Sequence, residues 1–427
     1  MTTEADRDPV DLTEAVLAAI DEDELIEMAQ DLINIPSLTG REAGVSDYLA
    51  QRFGDLDLKV TRQEVETGRD NIIGTWTGGN GDESLMFLGH MDHAPGIGVP
   101  EAKWVDDEWI SGIGASNMKS AFAAYYMATK MLMRAGFEPR GDIHLAGVVG
   151  EIEGAPVGHH QGANCRGGGY GARYLASHGY IPDFVLNGEP TGLRVQIANG
   201  GYIFLRLTTR GVTQHASYRQ FGSDAIEKME SVLPRVREWE AEYQAKFKHD
   251  LVVPRVNIGA IEGGVPNNPQ LVANFCHAYM DVMLVPGTNV LEVKHEIQRL
   301  VRRLNEADPE LGLTMEIYMT SRGYEVSNES RVVATARRMH RRITDRDPDE
   351  PEPARFGVSS DNWIFAESGA EGITYGPAGR SRVLPGEYAA YDPDYGEVIS
   401  VKDLAICSKV YALTVLELMK PNGVPAL

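Results

Sequence analysis

Four residues spread over a hundred positions have the types that metal-assisted hydrolysis needs. His90 and Asp92 stand in Leu88-Gly-His90-Met-Asp92, Glu151 in Gly150-Glu-Ile-Glu-Gly154, and Glu189 in Asn187-Gly-Glu-Pro-Thr191. An imidazole with carboxylates suits zinc, manganese or cobalt better than calcium. Such an ion polarises water, and a nearby carboxylate takes the proton. Glu151 is the expected base, since a partly desolvated Glu has its pKa raised toward neutrality. His90 and Asp92 are two apart, so in extended backbone they share a side, and the Asp92 carboxylate is expected to orient the His90 ring. Taken alone, a His-x-Asp pair is weak evidence. His90 also reads as a core histidine bonded to Asp92, Glu189 as a turn residue before Pro190, and Asn117 as a helix N-cap.

Each of His90, Glu151 and Glu189 follows an apolar run. In open α/β sheets ligands sit beyond the carboxyl ends of strands, so those runs would bring the three together. Strand-like segments at 70–89, 142–149 and 182–187 alternate with helical periodicity at 11–35, 118–135 and 401–419, which predicts an α/β unit with a mixed, mostly parallel sheet. Thr39 and Glu42 have the spacing of a capping box after Pro36. The middle differs. A strand at 201–209, a helix at 223–247, strands near 252–261 and 271–284, and a helix at 289–306 give a β-α-β-β-α-β order, that of a small ferredoxin-like α+β domain. The expected division is a catalytic domain of residues 1–200 and 318–427 with residues 201–317 inserted as a lid or dimerisation domain.

Composition narrows the function classes. The 427 residues exceed one compact core, and 43% apolar and 24% charged residues are ordinary for a globular protein. A formal charge of −22, from 62 acids against 40 bases, argues against nucleic acid or an anionic membrane as partner. Three scattered cysteines, Cys165, Cys276 and Cys407, give no disulfide framework or Cys metal cluster. The acidic N-terminus is unlike a signal peptide, and no apolar run approaches a membrane span. A cytoplasmic enzyme with a small-molecule substrate is the expectation.

These segments resemble the metal-dependent amidohydrolase family that includes acetylornithine deacetylase, succinyl-diaminopimelate desuccinylase, aminoacylase and glutamate carboxypeptidase. Gly89-His90-Met-Asp92 is similar to its His-x-Asp motif, and Gly112-Ile-Gly-Ala-Ser-Asn117-Met-Lys119 to its Gly-x-Gly-Ala-x-Asp-x-Lys motif. Gly150-Glu151-Ile152-Glu-Gly154 falls on Asp-Glu-Glu-x-Gly, Gly188-Glu189-Pro-Thr191 on Gly-Glu-Pro-Thr, and Gly211-Val-Thr-Gln-His215-Ala-Ser217 on the smaller domain's motif. The resemblance implies that His90 and Glu189 bind metal, that Asp92 supports His90, and that Glu151 is the general base. It implies that His215 stabilises a developing oxyanion, often in the partner subunit's site, hence a homo-oligomer of two or more chains. Asn267, in Gly-Gly-Val-Pro-Asn, matches a lid residue that touches substrate.

Departures from the pattern matter as much. The bridging Asp of the family is Asn117 here, Ile152 replaces a second-metal Glu, and Tyr391 stands nearest the place of a second-metal His. The expected cofactor is therefore one divalent transition metal per subunit, held by His90, Glu189 and the Asn117 oxygen. Residues 155–169 form an insertion containing His159, His160 and Arg166, with Arg166 a candidate for a substrate carboxylate. Overall similarity implies a divergent branch that replaces an aromatic amino group by hydroxyl, converting 5-nitroanthranilate to 5-nitrosalicylate and ammonia. The alternatives are an aminoacylase or dipeptidase, and a catalytically inactive binding protein of the same fold.

Overall fold

The computed structural model describes residues 9–79, 81, 83–95, 100–152, 154–155, 157, 166–348, 359–377 and 395–421. They fall into two compact units. One takes in residues through Ile197, Val326–Pro351 and Ser360–Leu427, and the other is built on Ala198–Glu325. The insert thus begins at Ala198 and ends at Glu325, against the 201 and 317 expected from sequence. The cause is a short antiparallel ladder, Ala198–Asn199 with Tyr324–Glu325, which joins the chain's entry to its exit.

The first unit holds a six-stranded sheet in the order Lys59–Glu66, Arg69–Trp76, Ile143–Val148, Leu85–His90, Phe184–Asn187, Glu371–Thr374. The last four strands are mutually parallel, and the first two join antiparallel. Leu85–His90 is buried at every position, as a strand covered on both faces must be. Helix Ser120–Arg134 is apolar almost all round and packs against helices Glu22–Asn34 and Val401–Leu418. Below the sheet's carboxyl end, Phe87 stacks on Tyr125 at 4.9 Å and meets Tyr411 edge-on at 5.4 Å. Burying phenols requires partners: Tyr125 donates to the Leu88 carbonyl at 2.7 Å, and Tyr411 to that of Tyr375.

Two local expectations are corrected. The helical period over 11–35 is two helices, Pro9–Ala18 and Glu22–Asn34, because Asp21 turns extended and caps the second through the Glu24 N–H. The Thr39–Glu42 capping box does not form. Arg69, buried in the adjacent strand, takes the Glu42 carboxylate in two bonds of 2.5 and 3.0 Å, while the Thr39 hydroxyl turns to Asp92. A buried guanidinium needs that charge more than an exposed helix start does.

The second unit is a four-stranded antiparallel sheet, order Val256–Gly263, Phe275–Leu284, Gly201–Arg210, Thr314–Thr320. Strand Phe275–Leu284 alternates buried and half-buried along its length. Its inner face meets helices Ala225–Lys246 and Val290–Ala307 over a core including Ile203, Leu205, Met229, Val236, Ile297 and Leu300. Among the described residues no helix is long and apolar enough to cross a membrane.

Candidate metal centre

Three adjacent parallel strands deliver the central side chains. His90 ends its strand, Glu151 lies three residues beyond Ile143–Val148, and Glu189 two residues beyond Phe184–Asn187. Strands about 4.8 Å apart put side chains leaving the same sheet end within reach of one ion. Ligand atoms of His90, Glu151 and Glu189 lie within 4.8 Å of one another, and all three residues are buried.

The centre of the cluster is His90 Nε2. Asn117 Oδ1 is 2.7 Å from it, Glu189 Oε1 3.2 Å and Glu151 Oε2 3.7 Å. The ring's other nitrogen faces the Asp92 main-chain carbonyl at 2.8 Å, so Nδ1 carries a proton. Nε2 faces three oxygens, an arrangement that calls for positive charge there, a second ring proton or a metal ion in its place. The electrostatics agree. Burial alone would lower the His90 pKa, but the carboxylates of Glu189, Asp92 and Glu151 outweigh it and hold it well above the ordinary range. Glu189 Oε2 is buried without a hydrogen-bond partner, a second sign that positive charge is wanted here. The residues present therefore fit a divalent ion.

Asp92 does more than support the His90 ring. Its carboxylate lies 3.5 Å from the His90 Nδ1 and also accepts from the Thr39 hydroxyl at 2.7 Å, the Glu151 N–H at 3.0 Å and the Ile152 N–H at 3.1 Å. The main-chain carbonyl of Asp92 orients the ring, and its carboxylate orients the segment carrying Glu151. Burial opposes ionisation of Asp92, but His90, Thr39 and the Glu151 N–H keep its pKa below the usual value.

Asn117 is presented by the irregular turn Ala115–Lys119, whose Asn117–Met118 peptide bond is cis. Glu397 braces that turn, accepting from the N–H groups of Ser116 at 3.2 Å and Asn117 at 3.1 Å. Burial raises the Glu397 pKa against these hydrogen bonds. Lys119, fully buried, donates to the carbonyls of Ile33 and Ile35, and burial lowers its pKa to about 8. Glu397 was legible only as a landmark near the missing second-metal His. Asp361 stands in no motif of the sequence. It is buried, its Oδ1 would lie 2.6 Å from a Cβ on Gly169, and Gly169 donates to the Gly150 carbonyl beside Glu151. Neither residue belongs to a local pattern with the His-x-Asp segment.

Arg166 is turned away from the role expected of it. Its guanidinium lies 3.5 Å from Glu66 and over the Tyr170 ring, and its carbonyl accepts from Arg69. Ile152 offers no ligand atom, whereas Glu153, His159, His160 and Tyr391 lie outside the described residues. In the second unit His215 and Asn267 are exposed. His215 Nδ1 accepts the Ser217 N–H at 3.1 Å, so in the neutral ring Nε2 carries the proton and can donate.

Comparison with known proteins bears on the fold and the family resemblance. Residues 197–309 match the model of the peptidase dimerisation domain. The chain is 27% identical over 316 residues to N-formyl-4-amino-5-aminomethyl-2-methylpyrimidine deformylase of Bacillus subtilis, covering 67% of this chain and 69% of that protein. It is 23% identical over 331 residues to acetylornithine deacetylase of Aliivibrio salmonicida, covering 73% and 82%. Among solved structures, aminopeptidase PepT of Bacillus cereus aligns over 93% of this chain and 99% of its own at TM-score 0.67 and 19% identity, a likeness of fold.

Proposed function

We propose that this chain is a metal-dependent amidohydrolase of the family that includes acetylornithine deacetylase, and that it hydrolyses the C–N bond of an aromatic amine at a site holding one divalent metal. The observation that carries the reading is Asn117. A neutral amide oxygen stands 2.7 Å from His90 Nε2, where a bridge between two ions would call for a carboxylate. His90 and Glu189, with Asn117 Oδ1, would hold one ion of manganese, zinc or cobalt. When bound, that ion supplies the polarisation that makes water a nucleophile at neutral pH.

The chain's own residues do the rest. Glu151, 7% exposed and held by the Asp92–Glu151 N–H bond, accepts the proton of the attacking water. Hydroxyl adds at the ring carbon bearing the amine, the C–N bond breaks, and Glu151 returns the proton to the departing nitrogen as ammonia leaves. Charge that enters the ring needs an acceptor, and a nitro group para to the amine is one. 5-Nitroanthranilate, yielding 5-nitrosalicylate, meets that requirement. The resemblance assigns to His215, whose Nε2–H can donate, the stabilisation of developing negative charge in the partner subunit's site, and to Asn267 a substrate contact. The second unit would pair with another chain: Val212, Tyr218, Phe221 and Ile226 are exposed there, an apolar exposure that association would cover. Buried free thiols, Cys276 and Cys407, suit the cytoplasm.

The relatives favour a second reading, hydrolysis of an amide, since two of them are a deformylase and a deacetylase. The test sets 5-nitroanthranilate beside N-acyl amino acids and dipeptides, with metal-loaded protein, and follows ammonia and amine release. Metal-dependent ammonia release from the aromatic amine alone supports the first reading. Turnover of the acyl compounds alone replaces it with the second. No turnover of any, with the metal bound, would leave a binding protein. Metal analysis at saturation should give one ion per chain, and two tightly held ions would remove the single-metal site.

A further inference from the structure

The loop of residues 36–41 runs alongside the metal cluster. His93 donates its N–H to the Ser37 carbonyl at 3.0 Å, Leu38 and His93 form a parallel bridge, and Thr39 bonds Asp92. Between this loop and Ile113 lies a cavity of about 180 Å³, walled among the described residues by Ile33, Leu38, Ile113 and two prolines, with Arg41 and His93 as the polar members among them. Ile113 is four residues before Asn117, so both chain segments of the cavity lead into the cluster.

Size and chemistry restrict what it can take. An apolar cavity of about 150 Å³ accommodates benzene, so this one has room for a small substituted ring. Arg41 is exposed and makes no ion pair or side-chain hydrogen bond among the described residues. The adjacent carboxylate, Glu42, does not neutralise it, being committed to Arg69. In a chain of net charge −22 an unpaired guanidinium at a cavity mouth is a directed anion site. His93 is 9% exposed, and its Nδ1 lies 2.9 Å from the Ala94 carbonyl. That bond leaves Nε2 as a lone pair without a partner among the described residues. Burial lowers the His93 pKa, which keeps the ring neutral and able to accept.

We propose that this cavity is the subsite for a small aromatic carboxylate: its apolar walls hold the ring, Arg41 anchors the carboxylate, and His93 Nε2 accepts a hydrogen bond from a ring amino or hydroxyl group. The identity of the ligand rests on the aromatic-amine reading; the cavity and its two polar groups do not. Calorimetric titration of salicylate into metal-loaded protein measures binding apart from turnover. Arg41 is exposed, so Arg41→Ala should fold. That variant should bind salicylate about tenfold more weakly and raise KM for 5-nitroanthranilate similarly, with a far smaller change in kcat. Arg41→Lys should fall between, and Ile113→Phe, which fills the cavity, should abolish salicylate binding. The two readings separate. Arg41-dependent salicylate binding without turnover of any aromatic amine supports the subsite while removing the reaction. Ammonia release by Arg41→Ala at the wild-type KM overturns the subsite while leaving the reaction. Absence of salicylate binding to the wild-type protein also overturns it.

Discussion

Replacing Asn117 by Asp should tighten metal binding, by an amount the distances bound. The Asn117 oxygen lies 2.7 Å from His90 Nε2, in a cluster whose other ligand atoms are all within 4.8 Å of one another. A unit charge facing a divalent ion at about 4 Å gains roughly 8 kcal/mol at an effective dielectric of about 20. Burying the new carboxylate takes back several kcal/mol of that. In the ion-free variant the same group would face Glu189 and Glu151, so it should hold a proton, which caps the gain. A net gain of at least about 1.4 kcal/mol, or tenfold in Kd, should survive these offsets. Competition against a calibrated chelator reads the Kd directly. Thermal unfolding with and without metal should show a wider gap in the variant than in the wild type. A Kd unchanged within about twofold, or weaker, would mean that residue 117 does not face the ion, and the argument for a single-metal site would go with it.

Other consequences are simpler to state. Glu151→Gln should leave metal content intact and lower kcat by about 10²–10⁴, the range for a lost general base; retained turnover would assign the base elsewhere. Arg69→Ala strands Glu42, which is 0% exposed, and should cost about 3–5 kcal/mol in chemical denaturation, much of it recovered by adding Glu42→Gln. Asp361 should make the ion-free protein less stable as pH rises. Burial, against the pull of His90, raises its pKa from 3.8 to about 7, so across that window the folded chain binds the extra proton and loses stability with rising pH. Asp361→Asn should flatten the denaturation midpoints between pH 5 and pH 7.

What sequence could show was governed by locality. The strand ends carrying His90, Glu151 and Glu189 were legible because each apolar run directly precedes its chemical residue, and an α/β sheet makes strand ends converge. The β-α-β-β-α-β middle was legible from its alternation and turn signals. Thr39 and Glu42 misled because the capping-box spacing is local, whereas the groups that claim them, Asp92 and Arg69, come from elsewhere in the chain. Glu397 and Asp361 stayed hidden for the same reason: Glu397 meets the Asn117 turn 280 residues away. The break at Asp21 is not legible in the sequence, since apolar period continues across it and only the cap geometry marks the stop.

The three hydrogen bonds into the Asp92 carboxylate have a consequence for how this site can be dissected. One residue ties the Thr39 loop and the backbone of the base through its side chain and, through its main-chain carbonyl, the ring of a ligand. Loss at Asp92 is therefore not attributable to any single partner, and Asp92→Asn combined with Glu151→Gln should be strongly non-additive. The cleaner probe is Thr39→Val, which removes one bond and leaves the two amide contacts in place. The site behaves as one keyed joint, and its members should tolerate change only in concert.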